Sequence, residues 1–443
     1  MSSVLIKNAQ IVNEGSVFQG DLRIKGQRIE SVAAELSALP TDQIVEADGK
    51  HLLPGFIDDQ VHFREPGLTH KGSIASESRA AAAGGITSFM EMPNVNPATT
   101  TIDALEKKYD IASKTSLGNY GFYLGATEDN LEQIKQLAPQ KHCGVKVFMG
   151  ASTGDLLVEH PQALEAIFAE SPTLVVTHCE SSPIINSNLE KMIASGHVPT
   201  IEDHPFIRDV EACYASSSYA VDLAKKHGTQ LHVLHITTEK ELSLFEAGDI
   251  ESKQITAEAC VHHLWFSNAD YPRVGNLIKC NPSIKLPSDR DALVQAVNDN
   301  IIDIIATDHA PHTWEEKQQD YSKAPAGLPL VEHALLTLLD HVQQGRLSFE
   351  KIVEKTSHSP AKRYGVVERG FIREGYFADL VLVDTHQTTT VANESVRYHC
   401  EWSPFNGHQF SSKIIGTWIN GQHVFDGQSI VESNSAMRLA FNR

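Results

Sequence analysis

At 443 residues the chain could hold about three domains of ordinary size, or one large α/β barrel with an accessory unit. Hydrophobic residues at 41% and charged residues at 21% describe an ordinary globular chain and exclude disordered and fibrous classes. The 37 Lys and Arg against 56 Asp and Glu leave a formal charge of −19, a surface that repels polyanions, so nucleic acid is not an expected partner.

The first fifty or so residues predict short strands, VLIKNAQIV, SVFQGDLRIKG and QRIESVAA, separated by turn-forming Asn, Gly and Gln. The far end matches them in FIREGYFADLVLVD and SKIIGTWINGQHVFDGQSIV. The two ends are therefore expected to pair into one discontinuous β-sandwich domain, residues 1–53 and 365–443, around a long insertion at 54–364.

Within the insertion, strand-like apolar runs alternate with helical stretches. The runs are PGFIDDQVHF, GGITSFMEMPN, NYGFYLGATE, GVKVFM, TLVVTHCE, QLHVLHITT, QITAEACVHHL and NIIDIIATDHAPH. Helices are predicted at SIASESRAAAAGG, TIDALEKKYDIASK, DNLEQIKQLA, PQALEAIFAE, DVEACYASSSYAVDLAKKHG and EKELSLFEAG. Eight such strands give the repeat of a (β/α)8 barrel of the TIM type, and the fold class is α/β. A doubly wound open sheet would want a Gly-rich phosphate loop after the first strand, and PGFIDDQVHF has none.

In nearly every run the apolar part comes first and the reactive side chains follow: His62 and Arg64, Asn94, Lys146, His178, His235, Asp308 and His312. Parallel barrel strands bring these ends to one mouth, where barrel enzymes place their chemistry. The 22 histidines also raise the expectation of a metal site. His62, His178, His235 and Asp308 together suit zinc or a similar divalent ion, with a position left for a water whose pKa the ion lowers towards about 7. Asp308 could ligate an ion and move a proton to a departing nitrogen. Lys146 would be repelled by cations unless it is modified. Carbon dioxide would convert it to a carbamate with one oxygen for each of two ions; otherwise it pairs with a nearby carboxylate.

HFREPG, MPN, GVKVFM, THCE, HVLHITT, KCNPSIK, TDHAPH and GFIREGYFADLVLVD resemble the dihydroorotases of the cyclic amidohydrolase family, over about residues 1–425. The resemblance implies a metal-dependent hydrolase acting on a cyclic amide. The reaction would be the reversible closure of N-carbamoyl-L-aspartate to (S)-dihydroorotate in pyrimidine synthesis, by attack of metal-ionised water on the ring amide. By position it makes His178 and His235 ligands of one zinc (β) and His62 and Asp308 ligands of a second (α). Carboxylated Lys146 becomes the bridge, or Asp155 in its place. Arg64 and Asn94 become clamps on the substrate carboxylate, His312 a third contact to it, and Asn281 with the backbone at Ala326 and Gly327 contacts to the ring. A homodimer is the family-level expectation.

The sequence departs from that family at one place. The first strand normally ends in His-x-His, whereas here Gln60 precedes Val61 and His62. A neutral amide is a poor zinc ligand, so the α site is expected to be weakened or empty. Three outcomes follow: two metals with a weak α site, catalysis by the β ion alone, or a non-catalytic subunit supporting an aspartate transcarbamoylase. A dihydropyrimidinase, hydantoinase or allantoinase is the rival enzyme, and Arg64 discriminates because those substrates lack the ring carboxylate.

Other groups are expected to stay in the background. His262 and His263 are placed on the seventh strand in a structural role, and His309 is expected to point away from Asp308. His70, His142, His160, His204 and His341 are expected to be solvated. Asp58, Asp59 and Glu91 are candidates for orienting metal-bound imidazoles. WEEKQQDYSKAPAG reads as a cover over the mouth or a surface loop. The cysteines Cys143, Cys179, Cys213, Cys260, Cys280 and Cys400 form no C-x-x-C pair, as expected of reduced thiols. With neither a leader-like start nor a run of about 18 apolar residues, the chain is expected to be soluble and cytoplasmic with no membrane partner.

Overall fold

The computed structural model describes residues 3–150 and 156–443; Asp155 lies outside them. Eight parallel strands follow one another around a barrel: Phe56–Val61, Ile86–Glu91, Asn119–Gly125, Gly144–Phe148, Val175–His178, Leu231–Val233, Ile255–Cys260 and Ile304–Ala306, called strands 1 to 8 below. Each hydrogen-bonds to the next. A parallel bridge between Val61 and His309, with the His62 amide donating to the His309 carbonyl at 2.7 Å, joins strand 8 back to strand 1. Strands buried on both faces read as continuous apolar runs, which is why all eight were legible in the sequence.

The crossover helices include Ile74–Ala83, Ile102–Thr115, Pro161–Glu170 and Val210–His227. Each starts where capping predicts. Ser73, Thr101 and Asp209 accept amide bonds at their helix starts, and Pro161 occupies the first turn of its own. The DNLEQIKQLA and EKELSLFEAG helices are shorter than their patterns, only Leu131–Lys135 and Glu239–Leu242. Ser182–Ala194, Pro287–Asn298 and Ala334–Gln343 are helices beyond those predicted.

The chain ends build a second sheet of eight strands. His51–Pro54, from the N-terminal part, pairs antiparallel with Leu380–Asp384, which pairs in turn with Lys413–Ile419. Leu52, Leu380, Leu382 and Trp418 lie in its apolar core with Ile6, Ile11 and Ile24. A separate apolar cluster inside the barrel contains Ile57, Met90, Tyr123, Val176 and Ile304, and Leu439 and Phe441 from the C-terminal tail pack against it. All six cysteines are buried and unpaired. Among the described residues no helix is long and apolar enough to cross a membrane.

Several histidines lie elsewhere than expected. His262 and His263 belong to a short helix, Val261–Trp265, that begins directly after strand 7. His142, His204 and His341 are buried rather than solvated: His204 bonds the Cys280 carbonyl and the Tyr321 hydroxyl, both at 2.9 Å, and His341 stacks edge-on against Trp265. Their polar-looking sequence surroundings hid contacts made by distant segments.

Candidate active site

A cavity of about 270 Å3 opens at the C-terminal ends of the strands. Its walls include His62, Arg64, Asn94, Lys146, His178, His235, Asn281, Asp308, His312, Ala326 and Gly327, together with Gln60, Phe148 and Cys280. Side chains more than 240 residues apart in the chain, such as His62 and Asp308, are thus neighbours because most lie near or just beyond the C-terminal end of a parallel strand. Arg64, His235 and Asp308 hold left-handed backbone angles, with φ of 72°, 40° and 49°. Such conformations cost on the order of 1–3 kcal/mol each and cluster where function demands a particular side-chain aim. Asp308 accordingly lies beyond strand 8 rather than on it, and His309 turns away to bond Glu77 at 2.9 Å.

Two imidazoles form the deepest pair. His178 Nδ1 stands 3.0 Å from His235 Nε2, with the rings edge to face. The other nitrogen of His178 bonds Glu180 Oε2 at 3.0 Å, and Arg208 donates to the same oxygen at 2.6 Å. Burial alone would raise the Glu180 carboxyl, but the Arg208 charge and the His178 bond hold it down at about 2. The amide of His235 donates to Glu258 Oε1 at 3.0 Å, which secures its strained backbone. Burial, then the neighbouring His178 and Lys146, push the His235 imidazolium well below its ordinary range, so the ring is neutral.

Lys146 ends in the same cavity, its Nζ 4.6 Å from the centre of the Phe148 ring. Among the described residues it has no hydrogen bond or ion pair, which disposes of pairing with a described carboxylate. Burial lowers its pKa to about 8 despite the attraction of Asp308 and Glu258.

The second cluster is Gln60, His62 and Asp308. His62 Nε2 lies 3.0 Å from Asp308 Oδ1, and its Nδ1 lies 2.7 Å from Asn94 Oδ1. The Gln60 amide nitrogen donates to the same Asp308 oxygen at 3.1 Å. Burial would raise Asp308, but the His62 bond and charge keep it below the usual carboxylate range. Gln60 thus engages Asp308 from the position where the family places a ligand imidazole.

Arg64 lies at the rim, donating through Nε to the Pro311 carbonyl and through one Nη towards His312 Nε2, both at 3.0 Å. His312 also meets the Ala326 carbonyl at 3.0 Å and Lys71 at 3.1 Å, and Lys71 pairs with Glu316 at 2.9 Å. Burial, then the Arg64 charge, depress the His312 imidazolium to about 3, so it is a neutral ring. The run after strand 8 begins with a short helix, Trp314–Lys317, whose buried Lys317 donates to the carbonyls of Lys279, Pro325 and Gly327 at 3.2, 2.9 and 2.8 Å.

The site has participants that the sequence did not single out. Glu180 carried a signal, since it lies two residues from His178 in THCE and so could reach the same side. Lys71, Arg208 and Lys317 carried none. Of the residues expected to orient ligands, Asp58 bonds Thr307 and Glu91 pairs with Lys108 at 3.0 Å; neither touches a cavity imidazole. The paired nitrogens of His178 and His235, with the Glu180 buttress behind them and Lys146 beside them, could hold a divalent transition ion.

A family model for the amidohydrolase family matches residues 51–424, and the chain belongs to that family. It is 33% identical to a dihydroorotase of Halobacterium salinarum over 93% of this chain and 94% of that one. It is 30% identical to an allantoinase of Solibacter usitatus, over 99% and 97% of the two chains. Among solved structures, the L-hydantoinase (dihydropyrimidinase) of Arthrobacter aurescens superposes with a TM-score of 0.94 at 27% identity, covering 99% of this chain and all of that one.

Proposed function

We propose that the protein is a zinc-dependent dihydroorotase that interconverts N-carbamoyl-L-aspartate and (S)-dihydroorotate, working with one ion at the mouth. One observation carries the reading: two imidazoles, a buried lysine that makes no ion pair among the described residues, an anionic Asp308 and a guanidinium line one cavity. His178 and His235 would hold the ion, with carboxylated Lys146 as the third ligand. Bound there, a divalent ion polarises a carbonyl and lowers the pKa of water to about 7.

The remaining steps belong to the chain's own side chains. Asp308 accepts a proton and delivers it to the ring nitrogen as the amide opens; in the reverse direction it removes it. Arg64 presents a planar donor fork to the substrate carboxylate, with Asn94 and neutral His312 beside it. These donors offset the repulsion that a charge of −19 imposes on an anionic substrate. Asn281 and the backbone at Ala326 and Gly327, fixed by Lys317, bear on the ring. The α ion is left out because Gln60 and His62 both engage Asp308 Oδ1. A homodimeric, cytoplasmic enzyme belongs to the same proposal.

The test compares carbamoyl-aspartate with hydantoin as substrates for wild type and Arg64→Ala. Loss of the charged clamp is expected to cut kcat/KM for carbamoyl-aspartate by about a hundredfold or more while leaving slow hydantoin turnover unchanged. Untouched carbamoyl-aspartate turnover with efficient hydantoin hydrolysis would make the protein a hydantoinase. No turnover of either until Gln60→His is introduced would make it a non-catalytic subunit.

A further inference from the structure

Below the mouth, inside the barrel, three ionisable side chains face one another with no access to solvent: Asp59 of strand 1, His232 of strand 6 and Glu258 of strand 7. Their ligand atoms all lie within 4.8 Å of one another. His232 Nε2 is 3.3 Å from Asp59 Oδ2 and 3.7 Å from Glu258 Oε2. Beyond these ion pairs, and among the described residues, both oxygens of Asp59, Oε2 of Glu258 and Nε2 of His232 are buried and make no hydrogen bond.

The outer atoms of the cluster are all held. His232 Nδ1 meets the Thr256 hydroxyl at 2.7 Å, and that hydroxyl is turned to the Leu231 carbonyl, so it accepts from Nδ1–H. His232 therefore turns Nε2 to the two carboxylates, which against the effect of burial draw its pKa up to about 9 by their charge. Glu258 Oε1 is fixed by the His235 amide and by Cys260 Sγ at 3.4 Å. Two buried carboxylates against one imidazole leave negative charge without a full counter-charge, which is costly. The 3.3 Å between His232 and Asp59 equals the ligand-to-ligand edge of a tetrahedron with bonds of about 2.0–2.1 Å, and the 3.7 Å to Glu258 is wider by a few tenths of an ångström.

The geometry points to a structural cation site in the barrel core, with Asp59, His232 and Glu258 as ligands for a first-row divalent ion such as zinc. One imidazole and two carboxylates suit that class, and the ion neutralises the buried charge. Thr256 plays the outer role that fixes the imidazole tautomer. Because Glu258 also holds the His235 amide, the ion ties the barrel core to the mouth. With every ligand buried, the ion enters as the chain folds and leaves only when it unfolds. The site does not depend on what the mouth binds.

The experiment is a crystal of the full-length protein grown with zinc chloride, with anomalous difference density collected at the zinc edge. A peak about 2.0–2.2 Å from Asp59 Oδ2, His232 Nε2 and Glu258 Oε2 is expected, apart from any peak between His178 and His235. No core peak, with Asp59 and His232 closed to a hydrogen bond, overturns the proposal. A core peak without a mouth peak supports it and counts only against the proposed function. In solution, native dialysis against EDTA is expected to leave one zinc per chain in wild type and none in Asp59→Asn. Equal retention in the two proteins would overturn the assignment of Asp59 as a ligand.

Discussion

Lys146 shows how much of a residue's chemistry is set by its surroundings. On a surface it would be an ammonium; here burial brings its pKa to about 8 and no described group claims its proton. Only the neutral amine reacts with carbon dioxide, so the neutral fraction rises as pH passes upward through about 8. Reactivation of the decarboxylated protein at a fixed dissolved carbon dioxide concentration is therefore expected to be more than tenfold faster at pH 8.5 than at pH 6.5; a rate independent of pH would contradict the role. Lys146→Ala is expected to lose at least a thousandfold in turnover while keeping the far-UV circular dichroism of wild type. Glu180→Gln keeps the shape and weakens the buttress, and is expected to reduce zinc affinity at the mouth by about 10–100-fold in a competition titration.

At this scale the sequence revealed His62, Arg64, Asn94, Lys146, His178, His235, Asp308 and His312 because they belong to apolar runs, whereas Asn281, Ala326 and Gly327 came only from the family resemblance. It concealed Lys71 and Arg208, whose partners come from remote segments. It also concealed the burial of His142, His204 and His341, since a histidine among polar neighbours looks solvated whatever later packs on it.

Among elements, the strands were the most legible and the connections the least. Parallel strands announce themselves by continuous apolar runs, whereas EKELSLFEAG folds as one helical turn because tertiary contacts, not propensity, decide short helices. The stretch after strand 8 is held by Lys317 and its three carbonyl partners, a contact no local pattern encodes. This lysine fixes the backbone at Pro325 and Gly327, beside the ring position. Lys317→Met is expected to raise KM for carbamoyl-aspartate several-fold with little change in kcat, and to open residues 318–325 to limited proteolysis. An unchanged KM would show that the segment holds its shape without the lysine.

Across the whole molecule, sheet pairing between the chain ends was legible from matching strand signals, while the acid response is a property of the assembled fold. Burial depresses His204 and His333 to about 3 and His142 and His341 to about 4, against 6.5 unfolded. The unfolded chain thus binds more protons below pH 6.5, and stability falls as pH drops from there towards 4. Each fully buried ring contributes up to about 1.4 kcal/mol per pH unit in that window. Tm is expected to be flat from pH 7 to 8 and to fall steeply between pH 6 and 5 in calorimetry; a flat profile to pH 5 would contradict the burial of these imidazoles.

The convergence of strand ends on one working ion is tested most directly by zinc titration. Protein stripped by chelator under native conditions is titrated with zinc while ring closure of N-carbamoyl-L-aspartate is followed in wild type. Activity is predicted to rise linearly and level off at one added equivalent per chain, with Gln60 in place. No turnover at any zinc loading, or a plateau only at two added equivalents, would contradict it.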